Sequence, residues 1–209
     1  MPLFLGSHSA MAAHPSGPQC RFGARLDFGL LQMLGGGAMN DISLTILPET
    51  QADEPAIERL HERTFGPGRY AKTAYRLRER VAHRLEVSFT ARIGTLLIGS
   101  VRLSPVRIGE TKALLLGPLT VEPAFRERGV GQALIERALN EARAKGHRLV
   151  ILVGDEPYYG KCGFKRISAG QATMPGPVDP ARLLVAELVE GALAGVSGPI
   201  RPEWDAVQA

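Results

Sequence analysis

Three patterned segments between residues 113 and 153 constrain the fold more than any other feature of this sequence. Residues 113–121 are strongly apolar, which indicates a central strand, and residues 149–153 form the continuous apolar run of a strand buried on both faces. Between them, residues 130–145 carry apolar side chains at every fourth position, the pattern of an amphipathic helix, and Gly146 follows as its expected cap. Together they predict helices packed on a sheet.

Shorter patterned segments extend this architecture on both sides of the central run. The further predicted strands span residues 42–46, 85–93, 96–106, 166–167 and 183–188, and the further predicted helices or turns span residues 50–65, 72–80 and 157–162. A tight hairpin is expected at Gly94. The order predicts an α/β fold with helices on both faces of the sheet.

The first 38 residues differ from the rest of the chain. Ten of them are Gly or Pro, and Asp27 is their single acidic residue. We expect residues 1–38 to be a disordered leader or to precede the true start at Met39, although Arg21 and Arg25 leave a transit segment open. The folded domain is predicted to span residues 39–209.

Composition excludes several classes of protein. A net charge of +4 with 6% aromatic residues lacks the basic, aromatic-interleaved stripe of a nucleic-acid binder, yet it suits a small anionic ligand. No apolar run approaches the roughly 18–20 residues of a membrane span. Cys20 and Cys162 form neither a disulfide framework nor a zinc spacing, which indicates a reducing compartment and hence a cytoplasmic protein without a metal.

The segment from residue 119 to residue 132 has the properties of an anion-binding turn. It combines a strand ending at Val121 with a helix that begins near Gly129, and a helix N-terminus presents unpaired N–H groups. Gly129 and Gly131 would let an anion approach the backbone, and Arg126 and Arg128 lie at the helix end that disfavours cations. A bound anion would resolve that conflict; a plain glycine loop with two solvated arginines is the alternative.

Residues 121–131 resemble the signature of the GNAT superfamily of acetyl-coenzyme A-dependent acyltransferases, in which Arg-x-x-Gly-x-Gly follows a strand ending in Val-x-Pro. Arg126, Gly129 and Gly131 match that signature, and Tyr159 stands four residues before Gly163-Phe164, as in the second family motif. Residues 65–69, 116–119 and 153–159 are similar to the YhbS-like branch of N-acetyltransferases. The resemblance covers residues 41–195.

The resemblance implies a GNAT fold, with a mixed, mostly antiparallel central sheet that is splayed between strands 4 and 5. It implies that acetyl-CoA binds with its pyrophosphate on the turn before the helix and with its acetyl carbonyl on main-chain groups at the end of the preceding strand. The implied cofactor-binding residues are Leu119, Thr120, Val121, Arg126, Arg128, Gly129, Val130, Gly131 and Gln132. Gly117-Pro118 within an apolar strand predicts a bulge or splay there, with an edge-strand proline as the alternative.

The implied catalytic residues are Tyr159, as the general acid that protonates the departing thiolate, and Val121, as a main-chain donor to the oxyanion. Tyr158 competes with Tyr159, and a packing role for Tyr159 is the alternative. The general base stays open among Asp155, Glu122, His61, Glu62 and a water chain. Asp155 could instead cap the following turn, and His61 is otherwise expected to be solvated.

A basic group around the second predicted helix could attract an anionic acceptor, although a solvated helix face is the simpler interpretation. It comprises Arg69, Lys72, Arg76, Arg78 and Arg80. Cys162 is expected to pack in the core rather than to act as a nucleophile.

The sequence and the resemblance together predict transfer of an acetyl group from acetyl-CoA to a primary amine by direct attack in a ternary complex. The acceptor is a small molecule or a protein amino group, with no nucleic-acid or membrane partner. The alternative is a catalytically weak GNAT-fold module that binds acyl-CoA as a sensor or regulatory subunit. The apolar stretch at residues 183–193 would either complete the sheet or pair with a second copy in a homodimer.

Overall fold

The computed structural model describes residues 43–66, 73–79 and 81–203. Its strands are β1 (Leu44–Pro48), β2 (Phe89–Ile93), β3 (Leu96–Ile108), β4 (Thr111–Val121), β5 (Leu149–Val153), β6 (Lys165–Arg166), β7 (Ala172–Thr173), β8 (Leu183–Glu187) and β9 (Gly198–Pro202). Its helices are α1 (Glu54–Phe65), α2 (Thr73–Arg76), α3 (Val130–Ala144) and α4 (Glu156–Tyr159). The predicted leader, residues 1–38, lies outside the described residues.

The strands form a mixed sheet in the order β1-β2-β3-β4-β5-β8-β6. Within that order β4 and β5 pair in parallel, whereas the other neighbouring strands pair antiparallel. β9 joins the far end of β3, and β7 pairs with β9. The predicted α/β fold with a mostly antiparallel central sheet is confirmed.

The parallel pair opens towards its carboxyl end. Its register joins Leu114 to Val150 and Leu115 to Ile151, while β4 continues alone to Val121. The predicted splay between strands 4 and 5 is therefore confirmed, and it leaves one edge of β4 facing a gap.

A bulge in β4 lies where the two strands part. Gly117 and Pro118 stand opposite the single residue Arg102 of β3, because the register between these strands shifts at that point. β4 lies between β3 and β5 in the sheet, so it is not an edge strand, although β5 no longer pairs with it at Pro118. The bulge removes Pro118 from the regular ladder, where its missing N–H could not donate.

Helices α1 and α3 cover opposite faces of the sheet. Leu97 of β3 packs with Ile57 and Leu60 of α1, whereas the next residue, Ile98, packs with Leu134 of α3. Consecutive strand residues point to opposite faces, so the two helices enclose the sheet. The predicted apolar stripe of α3 is buried along its length; its members are Val130, Leu134, Ala138 and Ala142.

Two predicted elements are shorter in the structure, and one strand was missed. The strand expected at residues 85–93 begins only at Phe89, since residues 85–87 form a 3-10 turn in which the Ser88 hydroxyl donates to the Arg84 carbonyl and accepts from Leu103 N–H. The helix expected at residues 72–80 is described as helical only from Thr73 to Arg76. Strand β9 was not predicted, because its two prolines suit an edge position rather than a recognisable ladder pattern.

Two alternatives were predicted for the apolar stretch at residues 183–193, and the structure shows the first: the stretch contributes to the sheet, because β8 lies between β5 and β6. None of the described helices combines the length and the apolarity that crossing a bilayer requires.

Candidate functional site

The N-terminus of α3 opens onto the loop that follows β4. Gly129 caps the helix in the left-handed conformation, with φ at 78°, and no side chain caps it. The N–H groups of Val130, Gly131 and Gln132 belong to the first turn and therefore have no carbonyl partner within the helix. They make a concentration of donors at the positive end of the helix dipole, which favours an anion.

Gly131 lies against the hydroxyl group of Tyr158. A Cβ built on Gly131 would collide with Tyr158 Oη and would lie 3.7 Å from Val121 Cγ2. The first turn of α3, the end of β4 and the helix α4 therefore meet at one point. A glycine at position 131 leaves the space that the Tyr158 hydroxyl occupies.

The main chain at the end of β4 points into the gap beside β5. Glu122 N–H donates to the Ile98 carbonyl at 2.8 Å, and hydrogen-bonded pairs alternate with non-bonded pairs along an antiparallel ladder. Leu119 and Val121 occupy the non-bonded positions, so their N–H groups turn away from β3. Because β5 has diverged there, these N–H groups face the opening.

Thr120 differs from its two neighbours. It pairs with Ser100 across the ladder, and its Oγ1 is buried without a hydrogen-bond partner among the described residues. The structure thus places Leu119 and Val121 along the gap, while Thr120 turns its backbone to β3.

Arg126 and Arg128 are both exposed at the start of α3. Arg126 Nε donates to the Val121 carbonyl at 3.3 Å, and the Arg128 guanidinium lies 6.0 Å from the centre of the Phe125 ring. The two cations stand at the helix end that already carries positive potential, as the sequence predicts.

A cavity of about 1010 Å³ lies on the α1 side of the gap. The bulge and the strand end form one wall, through Gly117, Pro118 and Leu119, and Tyr159 lines another part of it. Residues of α1 and α2, the turn before β2 and the segment 177–182 complete the lining. The cavity thus reaches from solvent to the main chain of β4.

Burial raises the pKa of Tyr159 to about 12, with smaller contributions from the neighbouring groups of Tyr158 and Asp155. The ring packs edge-on against Phe164 and Tyr158, at centroid distances of 6.0 and 4.9 Å. Gly154 provides the space, because a Cβ there would collide with the Tyr159 ring. A phenol with this pKa is protonated at neutral pH and can donate from a defined position.

Two of the candidate bases line the cavity. Asp155 is exposed and pairs with Arg182 at 3.1 Å, while its main-chain carbonyl, rather than its side chain, accepts from α4. His61 also lines the cavity, with Nε2 3.4 Å from Ser100 Oγ and Nδ1 3.4 Å from Glu58. The expectation that His61 is solvated is wrong: it is 3% exposed, because it lies on the face of α1 that covers the sheet.

The other two candidates point elsewhere. Glu122 pairs with Arg63 at 2.9 Å, and Glu62 is exposed on α1. Among the residues that line the cavity, the carboxylate of Asp155 and the imidazole of His61 are thus the predicted bases that the fold brings to this space.

Sequence reasoning missed an ion network at the cavity floor. Arg102 of β3 donates through Nη2 to Glu49 at 2.6 Å and to Glu54 at 2.5 Å, and His83 Nε2 lies 3.0 Å from Glu49. Burial alone would raise the pKa of Glu49, but its hydrogen bonds to His83 and Arg102 hold that pKa below the usual value. The available signal was Arg102 in the middle of the largely apolar strand β3.

Glu49, Glu54 and His83 bring three potential metal-ligand atoms within 4.8 Å of one another. The Arg102 guanidinium is hydrogen-bonded to both carboxylates, so their charge is already compensated. The residues thus fit an ion network, and the expected absence of a metal stays a prediction.

The predicted basic group divides into different environments. Arg76 is exposed, as expected for a solvated helix face, but that expectation is wrong for Arg78, whose guanidinium lies beside Gly117 in the cavity. Arg69, Lys72 and Arg80 lie outside the described residues. Cys162 packs against the core beneath α3, as expected.

The splayed parallel pair, the glycine-containing helix start and the adjoining cavity define a class: an enzyme of the acyltransferase type with the GNAT architecture. Residues 85–166 match the family model described as the acetyltransferase (GNAT) domain. That range covers the second motif as well as the turn before α3. Over this range the chain is similar to GNAT acetyltransferases.

Individual relatives agree with this assignment. The chain is 29% identical over 157 residues to YhbS of Escherichia coli K12, described as an uncharacterized N-acetyltransferase; the match covers 74% of this chain and 93% of YhbS. It is 29% identical to YjhQ of the same organism, covering 61% and 72% of the two chains.

Solved structures show the same relationship. The crystal structure of E. coli YhbS in complex with CoA superposes with a TM-score of 0.67 at 25% identity, covering 78% of this chain and 91% of YhbS. A GNAT family acetyltransferase from Brucella melitensis in complex with acetyl-CoA gives a TM-score of 0.50 at 28% identity, covering 68% and 95%.

Proposed function

We propose that this protein transfers an acetyl group from acetyl-CoA to a primary amine by direct attack within a ternary complex. The observation that carries the proposal is the divergence of β4 from β5 beside the uncapped N-terminus of α3. The gap exposes main-chain donors at Leu119 and Val121, and the helix start offers donors at Val130, Gly131 and Gln132. Acetyl-CoA has two groups that accept hydrogen bonds: its thioester carbonyl would bind the first set of donors, and its pyrophosphate would bind the second.

The residues present fit acetyl-CoA as a co-substrate. Gly129 and Gly131 carry no side chains that could cover the first N–H groups of α3, and the space beside Gly129 is open. Arg126 and Arg128 add positive charge for the phosphates. The relatives support the same ligand, since the E. coli structure contains CoA and the B. melitensis structure contains acetyl-CoA.

When bound, acetyl-CoA supplies an activated acetyl thioester. In the proposed arrangement, the N–H groups of Leu119 and Val121 orient the acetyl carbonyl and favour negative charge on its oxygen. Tyr159 holds a proton at Oη and provides it to the leaving sulfur. Asp155 or His61 accepts the proton of the attacking amine, directly or through water.

The acceptor enters through the cavity, and it is a small molecule or a protein amino group. Nucleic acid and membrane are not among the proposed partners. A cytoplasmic location follows from the absence of a disulfide framework in the sequence. A homodimer stays a prediction.

The alternative function, that of an acyl-CoA-binding sensor, is distinguished from the enzyme by the lack of catalytic turnover. A sensor would bind acetyl-CoA without releasing free CoA in the presence of any amine. The partly buried and oriented Tyr159 favours the enzyme, because a sensor has no need of a protonated donor beside the gap.

The proposed binding site is tested by thermal unfolding with and without acetyl-CoA. A ligand present at 100 times its dissociation constant stabilises the folded state by about 2.7 kcal/mol, so the midpoint should rise by several degrees. Gly129→Asp and Gly129→Asn form a matched pair, since both residues tolerate the left-handed conformation and cap helices, and only Asp adds a negative charge.

We expect the ligand-induced rise to be kept in Gly129→Asn and lost in Gly129→Asp. If millimolar acetyl-CoA leaves the wild-type midpoint unchanged, the proposed function is wrong. Equal shifts in the two variants would contradict phosphate binding at the start of α3.

A further inference from the structure

Arg78 is a half-buried cation without a compensating anion among the described residues. Its Nε is inaccessible to solvent and makes no hydrogen bond. Burial lowers the pKa of Arg78 to about 10, against a smaller opposing effect of Tyr75, so the guanidinium is still charged at neutral pH. Withdrawing an uncompensated charge from water lowers the stability of the folded state, and a bound anion would offset that loss.

The other cationic groups that line the cavity are paired. Arg102 contacts Glu49, Glu54 and Glu58, and Arg182 contacts Asp155 at 3.1 Å. An arginine with only a structural role would be expected to form ion pairs, as Arg102 and Arg182 do. Arg78 instead presents unused donors to the same space, as a binding group does.

Arg78 lies close to the expected acetyl position. A Cβ built on Gly117 gives a common reference point. Arg78 Nη2 lies 3.3 Å from that point, and the main-chain N of Leu119 lies 3.9 Å from it. The two nitrogen atoms therefore cannot be further apart than the sum of these distances. An anion held by Arg78 would have its nearest atoms only a few bonds from the reacting carbon.

The charges around the cavity select the kind of anion. Arg78 can balance a single negative charge, and four carboxylates also line the space. Those of Glu58 and Asp155 are paired with Arg102 and Arg182, and the other two are those of Glu79 and Asp179. These acids disfavour a dianionic phosphate, and they favour a nearby ammonium group. A compact zwitterion matches both signs.

We propose that Arg78 binds the carboxylate of a small acceptor whose amino group lies a few bonds from that carboxylate, an amino-acid-like molecule. This inference rests on the proposed function and specifies its substrate class. A guanidinium binds a carboxylate through two parallel hydrogen bonds, which also fixes the direction of the amine.

The test compares matched acceptors with the purified full chain and acetyl-CoA, by release of free CoA. The pairs are glycine with glycinamide and β-alanine with β-alaninamide, which differ in the carboxylate. We expect kcat/KM to be on the order of 10 to 100 times higher for the acids in the wild type, the range for a lost charged hydrogen bond. In Arg78→Met that preference should vanish, and in Arg78→Lys it should be weakened.

Arg76→Met is the matched control, because Arg76 is exposed at the end of α2, two residues before Arg78. It should keep the preference for the acids. A wild type that acetylates acids and amides equally, or an Arg78→Met variant that keeps the preference, would overturn the inference.

A separate arm identifies the molecule that carries the carboxylate. Succinyl-CoA is offered with the neutral amides, in wild type and Arg78→Met. Succinyl transfer that needs Arg78, without a preference for acid acceptors, supports a carboxylate site but places the carboxylate on the acyl donor, which overturns the acceptor class. No dependence on Arg78 in either arm overturns the site itself.

Stability gives a readout independent of activity. Replacing an unpaired, half-buried charge by a side chain of similar volume should leave the ligand-free midpoint equal or higher in Arg78→Met, whereas a structural role would lower it. The acetyl-CoA-induced shift separates the two hypotheses: if it is present and acids are not preferred, only the inference about Arg78 fails. If the shift is absent, the proposed function itself fails.

Discussion

The hydroxyl oxygen of Tyr158 occupies the place that a Cβ on Gly131 would take. The two residues lie on different elements, the helix α4 and the first turn of α3. Gly131 has no positive φ, so its backbone conformation suits any residue. Glycine is needed at 131 because of what faces it.

Gly131→Ala should therefore destabilise the protein only while the Tyr158 hydroxyl is present. Alanine favours a helix over glycine by about 1 kcal/mol, but the collision should cancel or reverse that gain. In Gly131→Ala with Tyr158→Phe the nearest ring atom would lie 3.6 Å away, an ordinary contact. We expect urea denaturation to show a coupling of at least about 1 kcal/mol in the double-mutant cycle; additive effects would contradict the contact.

Tyr159→Phe should lower kcat by roughly 100-fold or more, the range for loss of a general acid. Since the pKa of Tyr159 is about 12, wild-type activity should show no decline from deprotonation of Tyr159 between pH 7 and pH 10. Tyr158→Phe is the control and should keep most of the turnover. A greater loss in Tyr158→Phe than in Tyr159→Phe would transfer the acid role to Tyr158.

Glu49→Gln should destabilise the protein by about 3 kcal/mol at pH 7, because it removes the buried negative charge that pairs with Arg102. The pKa of Glu49 is lowered in the folded state, so its contribution is present above its unfolded value of 4.5 and is lost as the pH falls further. The stability difference between wild type and Glu49→Gln should thus shrink between pH 5 and pH 3. Asp53, whose pKa is also lowered, is present in both proteins and cancels.

Urea denaturation at pH 7, 5 and 3 measures this difference. A difference that stays constant over that range would show that Glu49 stabilises the fold through packing rather than through its charge.

Gly109→Ala should cost more stability than Gly94→Ala. Both glycines turn hairpins with positive φ, at 56° and 57°, so both substitutions carry about 1–2 kcal/mol of backbone strain. A Cβ on Gly94 meets nothing within 4 Å, whereas one on Gly109 would collide with the Ser197 carbonyl oxygen. We expect Gly109→Ala to be at least about 2 kcal/mol worse, by urea denaturation. Equal losses would argue against docking of the β3–β4 hairpin on the segment that enters β9.

The candidate site was predictable from sequence where its parts are local. The turn before α3 is set by Gly129 and Gly131 a few residues from Arg126, and helix donors, glycine conformations and the bulge at Pro118 all depend on neighbours along the chain. The predicted strand at residues 85–93 failed in part for a non-local reason, since the Ser88 hydroxyl takes a partner on β3.

By itself, the sequence determined the order of most strands and helices and the glycine-containing turn before α3, because hydrophobic periodicity and glycine positions act over one or two turns of chain. Only the tertiary structure decided which charges meet. Glu49 and Arg102 are 53 positions apart, and Arg78 reaches Gly117 from a different element. Such meetings depend on strand register and on helix placement, so the paired floor of the cavity and the unpaired cation beside the splay emerge only from the folded chain.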